Sequence, residues 1–205
     1  MQTSPEIGGP VTAPAGRGPE SVPDAGGPVE AGERERTGWA WALPAGPGCA
    51  REARAVLGQA LGALGVPADL IADAQLMVSE LATNAYQHAD GRGPYELWLY
   101  PAEPEPAGPG AVPAQRRPGV RELRCAIFDG LPDTRLPGYS WTSGDFGRGL
   151  SIVRELSGGR WGIRRERSRL GGRLPGKAVW FALPPVACGE PASFDGARRV
   201  TGETR

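Results

Sequence analysis

The sequence predicts an α+β two-layer sandwich: a mixed, mostly antiparallel sheet covered on one face by three helices. Three observations predict it. The chain alternates in the order strand, helix, helix, strand, strand, loop, helix, strand, strand, and sequence neighbours among the strands can pair directly. Each helix carries one apolar stripe and must bury it on a common surface. At 205 residues the chain is long enough for one domain with a real core plus tails.

Taken in order, residues 1–37 are rich in Gly, Pro, Ala and Glu and almost devoid of large apolar side chains. Such a segment cannot bury enough surface to offset its ordering entropy, so it reads as a disordered tail. The domain is expected over 38–185. Trp39-Ala40-Trp41-Ala42-Leu43 alternates large and small residues and stops at Pro44, which reads as a short edge strand. Ala53, Val56, Leu57, Ala60, Leu61 and Leu64 recur at helical spacing, with Gly65 as the stop. Pro67 and Asp69 suit the start of a second helix, which runs to about Ala89 and breaks at Asp90-Gly91.

Tyr95 to Tyr100 reads as a strand, followed by a proline-rich loop insertion at 101–119. Val120 to Asp129 is the next strand, with Leu123, Cys125 and Ile127 on one face, and Asp129-Gly130 brings in turn chemistry. The stretch from Gly130 to Phe146 has no clear periodicity; loops of this length are uncommon unless they are lids or binding loops. Gly147 opens a helix buried through Leu150, Val153 and Leu156 and ended by Gly158-Gly159. Strands then start at Trp161 and at Lys177, the latter burying Val179, Phe181 and Leu183. After Pro184-Pro185, residues 186–205 read as a polar tail.

Composition excludes several classes. Acidic and basic residues number 23 each, so the basic footprint of a nucleic-acid binder is missing. Cys49, Cys125 and Cys188 are far apart, which supports neither a zinc site nor a disulfide framework. No apolar run approaches the ~20 residues of a membrane span, and the N-terminus lacks a signal-peptide pattern. The expectation is a cytoplasmic protein that contacts neither membrane nor nucleic acid. Walker A, Rossmann and Gly-x-Ser-x-Gly patterns are absent. His88 is the only histidine, which excludes His-built metal clusters and a self-phosphorylating histidine relay.

The residues that remain are polar groups at element ends. Glu80, Asn84 and His88 stand at i, i+4 and i+8, on one side of the second helix, while Val78, Leu81, Ala82 and Ala85 lie on another. A carboxylate, an amide and an imidazole in one row can hold a metal ion, a water and a phosphate, or can be a solvated face. Asp129 at a strand end can accept a hydrogen bond from an exocyclic amine, with Gly130 admitting a flat ring, or can simply initiate a turn. Gly147-Arg148-Gly149-Leu150 at a helix start offers backbone N–H groups to a phosphate, although glycine also simply ends loops. His88 suits the last helical turn, where it shapes the site or caps the helix. Lys177, the only lysine, could reach a phosphate, but at a strand entrance solvation is the ordinary expectation.

The order of these signals is specific. A helix with Glu-x-x-x-Asn-Ala-x-x-His, a strand ending in Asp-Gly, a lid, and Gly-x-Gly-Leu at a helix start together resemble the GHKL ATP-binding superfamily of gyrase-type ATPases, heat-shock chaperones and histidine kinases. Within it, Ser79-Glu80-Leu81-Ala82-Thr83-Asn84-Ala85-Tyr86-Gln87-His88-Ala89 looks most like the bacterial anti-sigma-factor serine/threonine kinases. Gly147 to Val153, Trp161-Gly162 and Gly176 to Phe181 add to that likeness, which covers about residues 38 to 185. The resemblance implies a Bergerat-type fold with ATP and Mg²⁺ as cofactors. It implies Asn84 as Mg²⁺ ligand and Glu80 as general base toward a serine hydroxyl or a water. Asp129 and Gly130 would take the adenine, Gly147, Arg148, Gly149 and Leu150 would wrap the phosphates, and His88 would support the site. It implies a sigma factor or an anti-anti-sigma-like protein as partner, and members of the group often form homodimers. One departure is visible: Asp129-Gly130-Leu131-Pro132-Asp133 stands where the superfamily has Asp-x-Gly-x-Gly. The expected function is therefore ATP-dependent phosphorylation of Ser/Thr on a partner. A non-catalytic ATP-binding interaction module is the alternative that the altered glycines favour.

Overall fold

The computed structural model describes residues 37–89, 91–102, 120–132, 148–187 and 193–200. The elements, in chain order, are β1 (Gly38–Leu43), α1 (Cys49–Ala63), α2 (Ala68–His88), β2 (Tyr95–Ala102), β3 (Val120–Asp129), α3 (Arg148–Leu156), β4 (Trp161–Arg167), β5 (Pro175–Ala182), β6 (Val186–Ala187) and β7 (Arg198–Val200). The sheet order is β4-β5-β3-β2-β1-β7, with β6 pairing β3 off that path. Every described pairing is antiparallel, so the parallel pairs that a mixed sheet would contain are absent among the described residues.

Alternation decides which side chains meet the helices. Along β2, Tyr95, Leu97 and Leu99 face one way. With Leu123, Cys125 and Ile127 of β3 and Val179 and Phe181 of β5 they join one core. The helices contribute Ala53, Leu57 and Leu61 of α1, Met77, Val78, Leu81 and Ala85 of α2, and Leu150 and Val153 of α3. These are the residues of the helical stripes, and their common burial makes the molecule an α+β sandwich of one sheet and one helical layer. No described helix is long and apolar enough to cross a membrane.

The other face of the sheet is buried too. Trp98, Tyr100, Phe128, Ala126 and Trp180 form a second cluster, with Trp98 and Phe128 stacked at 5.3 Å. The turn after β4 folds over this cluster and is tied down by Glu96. That carboxylate, fully buried, accepts hydrogen bonds from Ser168 Oγ (2.5 Å), Trp98 Nε1 (2.8 Å) and the backbone N–H groups of Arg169 (2.9 Å), Leu170 (3.1 Å) and Gly171 (3.3 Å). A buried charge is tolerated when hydrogen bonds meet it on this scale.

Two expectations need correction. β1 is not an edge strand: it lies between β2 and β7. The cause is in the segment read as a polar tail. Val186–Ala187 pairs with β3, and Arg198–Val200 pairs with β1 through Gly38↔Val200 and Ala40↔Arg198. Phe194 packs edge-on against Trp39 at 4.8 Å, and Trp41 Nε1 donates to the Asp195 carbonyl at 3.0 Å. Two tryptophans thus recruit a segment whose own sequence shows no strand period. The expectations for residues 1–36, for the loop at 103–119 and for most of the lid, 133–147, lie outside the described residues.

Candidate functional site

Helix α2 builds the first wall of the site. Its buried side takes Met77, Val78, Leu81, Ala82 and Ala85, and that leaves Glu80, Asn84 and His88 half-buried in a row. The two hydroxyls next to this row are already occupied within the helix. Ser79 Oγ donates to the Gln75 carbonyl at 2.6 Å and Thr83 Oγ1 to the Ser79 carbonyl at 2.8 Å. Among the described residues no hydrogen bond reaches the Glu80 carboxylate or the Asn84 amide. Half-buried polar groups without protein partners are groups left for solvent or for a ligand.

Helix α3 supplies the second wall, and a glycine sets how close it comes. A Cβ placed on Gly149 would stand 2.6 Å from Glu80 Oε2, well inside contact distance. Only a residue without a side chain lets the first turn of α3 rest against the carboxylate. The structure therefore brings the Glu80 carboxylate and Gly149 together. Leu150 next to it is 5% exposed and belongs to the core, so its side chain packs and only its backbone faces the helix start. Arg148 begins α3. Gly147 lies outside the described residues, as do the Arg148 side chain and the greater part of the lid.

The third part lies at the end of β3. Asp129 is 1% exposed, and its two oxygens have different fates. Oδ1 accepts the Leu131 N–H at 3.0 Å, closing an Asx turn, and also the Lys177 ammonium at 2.8 Å. Among the described residues Oδ2, which is buried, has no hydrogen-bond partner. Turn initiation and ligand binding are thus not alternatives for this residue, because one oxygen performs the first and the other is left over. Burial pushes the Asp129 carboxyl above its ordinary value of 3.8, while the Lys177 ammonium and the Leu131 N–H pull against that rise.

Gly130 has a different reason for being glycine than a flat ligand. A Cβ there would meet the Gly93 carbonyl at 2.5 Å and the Arg92 carbonyl at 2.9 Å, and the Gly130 N–H donates to the Arg92 carbonyl at 2.8 Å. The loop that leaves α2 after His88 is thereby clamped to the end of β3. This contact joins the C-terminal end of the polar row to Asp129, while α3 closes on its Glu80 end. Eight residues at ~1.5 Å rise separate those ends by ~12 Å.

Lys177 was expected to be solvated and is not: its side chain is 6% exposed and ion-paired with Asp129. The pairing comes from strand register, Asp129↔Lys177 across β3 and β5. The signal available in the sequence was a lone lysine entering an apolar strand. A scan against protein-family models finds no match, and a search of curated proteins finds no significant relative.

Proposed function

We propose that the chain binds ATP with Mg²⁺ along α2 and transfers the γ-phosphoryl to a serine or threonine of a partner protein, in the manner of anti-sigma-factor kinases. The observation that carries this reading is the joining of three separate sequence signals around one helix. Glu80 meets the start of α3, and among the described residues Asn84, one turn on, has no hydrogen-bond partner and Asp129, at the other end, keeps one carboxylate oxygen without one. The residues fit the cofactor. Mg²⁺ takes few protein oxygens and keeps phosphate and water ligands, which suits a single amide such as Asn84. When bound, Mg²⁺–ATP supplies the transferable phosphoryl group and the charge neutralisation that loose phosphoryl transfer requires.

The chain's own contributions follow from position. Asp129 Oδ2 accepts a hydrogen bond from an exocyclic amine and so orients the base. Backbone N–H groups at the start of α3 face the phosphates, helped by the helix dipole. Glu80, beside that helix start, takes the proton of the incoming hydroxyl as it attacks. The partner is an anti-anti-sigma-like protein as substrate, with a sigma factor as a second ligand, and a homodimer fits the same class.

The test is transfer of label from γ-labelled ATP to a candidate partner. Glu80→Gln keeps size and hydrogen bonding but removes the base, so transfer should fall at least ~100-fold, with ATP binding retained. Equal transfer by the variant would make the assignment of the base wrong. One observation favours a second reading, a nucleotide-binding interaction module without transfer: Leu131 and Asp133 replace the glycines of the adenine motif. Turnover separates the two, since both bind ATP.

A further inference from the structure

Asp129 needs no lysine to close its turn. The Leu131 N–H already satisfies the Asx geometry, and a neutral asparagine would accept that bond as well. Yet the only lysine of the chain is buried at 5% exposure against the same oxygen, Oδ1, and its Nζ also reaches the Leu131 carbonyl at 3.4 Å. Burying an ammonium is costly, so its presence has to be accounted for by something other than the turn. What it does to the carboxylate is definite. Both donors converge on Oδ1, and Oδ2 is left buried with no partner among the described residues.

An ionised carboxylate is acceptor-only, whereas a protonated one donates. Burial favours the protonated form of Asp129, and the Lys177 ammonium at 2.8 Å opposes it, favouring the charged form in which Oδ2 is an acceptor. A 6-amino purine offers a donor at that position. A 6-oxo purine offers a second acceptor, and two buried acceptors facing each other repel and go unsatisfied.

We propose that Lys177 is the positioning residue for nucleobase choice: by engaging Oδ1 it holds Asp129 as an acceptor at Oδ2, so that the site takes 6-amino purine nucleotides and rejects 6-oxo ones. This rests on the nucleotide site proposed above and adds its specificity. A purely structural lysine would hold the turn and leave the ratio of base affinities unchanged with pH.

The experiment is calorimetric titration of the full chain with ATP and with ITP, each with Mg²⁺, from pH 6 to 8.5. ITP differs in carrying the 6-oxo group. Wild type should prefer ATP at least tenfold at every pH. In Lys177→Met the preference should shrink tenfold or more toward pH 6, as Asp129 gains a proton and donates to the 6-oxo group, and should recover toward pH 8.5. Lys177→Gln keeps a donor to Oδ1 without the charge. It should show the same pH dependence, and it carries the test if the methionine variant folds poorly. Lys177→Arg should restore a pH-independent preference. If both uncharged variants keep the wild-type ratio across the range, the role given to Lys177 is overturned while the nucleotide site stands. If wild type binds neither nucleotide at millimolar concentration, the site itself fails and this inference with it.

Discussion

The Asp129–Lys177 pair is held at 2.8 Å between two strands, with side chains 1% and 6% exposed. Its attraction is offset by the loss of hydration of both charges, so its net contribution is small, but breaking it strands a buried carboxylate. Lys177→Met should therefore cost about 3–5 kcal/mol, measured by urea unfolding at neutral pH. The sign of the pH dependence is set by the raised folded-state carboxyl of Asp129. A group raised in the folded state binds its proton more tightly there. Stability is then lost as pH rises from the ordinary carboxylate value to the folded one. Removing the ammonium takes away a lowering influence and extends that window upward. Lys177→Met should go on losing stability to higher pH above the ordinary carboxylate value than wild type does, and Asp129→Asn in the same background should flatten the curve. Gly149 allows a contrasting prediction. In Gly149→Ala the new methyl displaces only the flexible end of Glu80, so stability should change by under ~1 kcal/mol. Phosphotransfer should nonetheless fall at least tenfold, because the base is pushed from the helix start.

At the scale of elements, the same alternation that aims β2 at the helices also builds the opposite face. Glu96 stands on that opposite face and gathers five donors from Trp98 and the turn after β4. Glu96→Ala would leave those donors without their acceptor in a buried setting, at a cost of about 3–5 kcal/mol. Thermal unfolding should show it, and Glu96→Gln should recover part of the loss. Helices α1, α2 and α3 were legible in the sequence because each buries its own periodic stripe, such as Ala53, Leu57, Ala60 and Leu61. β7 was not. Arg198-Arg199-Val200 carries no period, and its pairing is fixed by Gly38, more than 150 residues earlier. The burial of Lys177 was not legible for the same physical reason: its partner stands 48 residues away, and only strand register reveals it.

For the whole molecule, the sheet acts as a frame that brings distant segments to one helix. β3 delivers Asp129 to the loop that leaves α2, through Gly130 and Arg92. The connection from β3 returns as α3 and lays Gly149 on Glu80. The order of the motifs along the chain was legible; their convergence was not, since it depends on the clamp at Gly130 and the close approach at Gly149, and neither is a local property. The claim that these segments form one nucleotide site is tested most directly by titrating ATP into the full chain with and without Mg²⁺, using wild type and Asn84→Ala. The account predicts saturable binding of one ATP per chain, weakened at least tenfold by Asn84→Ala when Mg²⁺ is present and little changed when it is absent. Equal affinity of wild type and variant with Mg²⁺, or no binding at millimolar ATP, would contradict it.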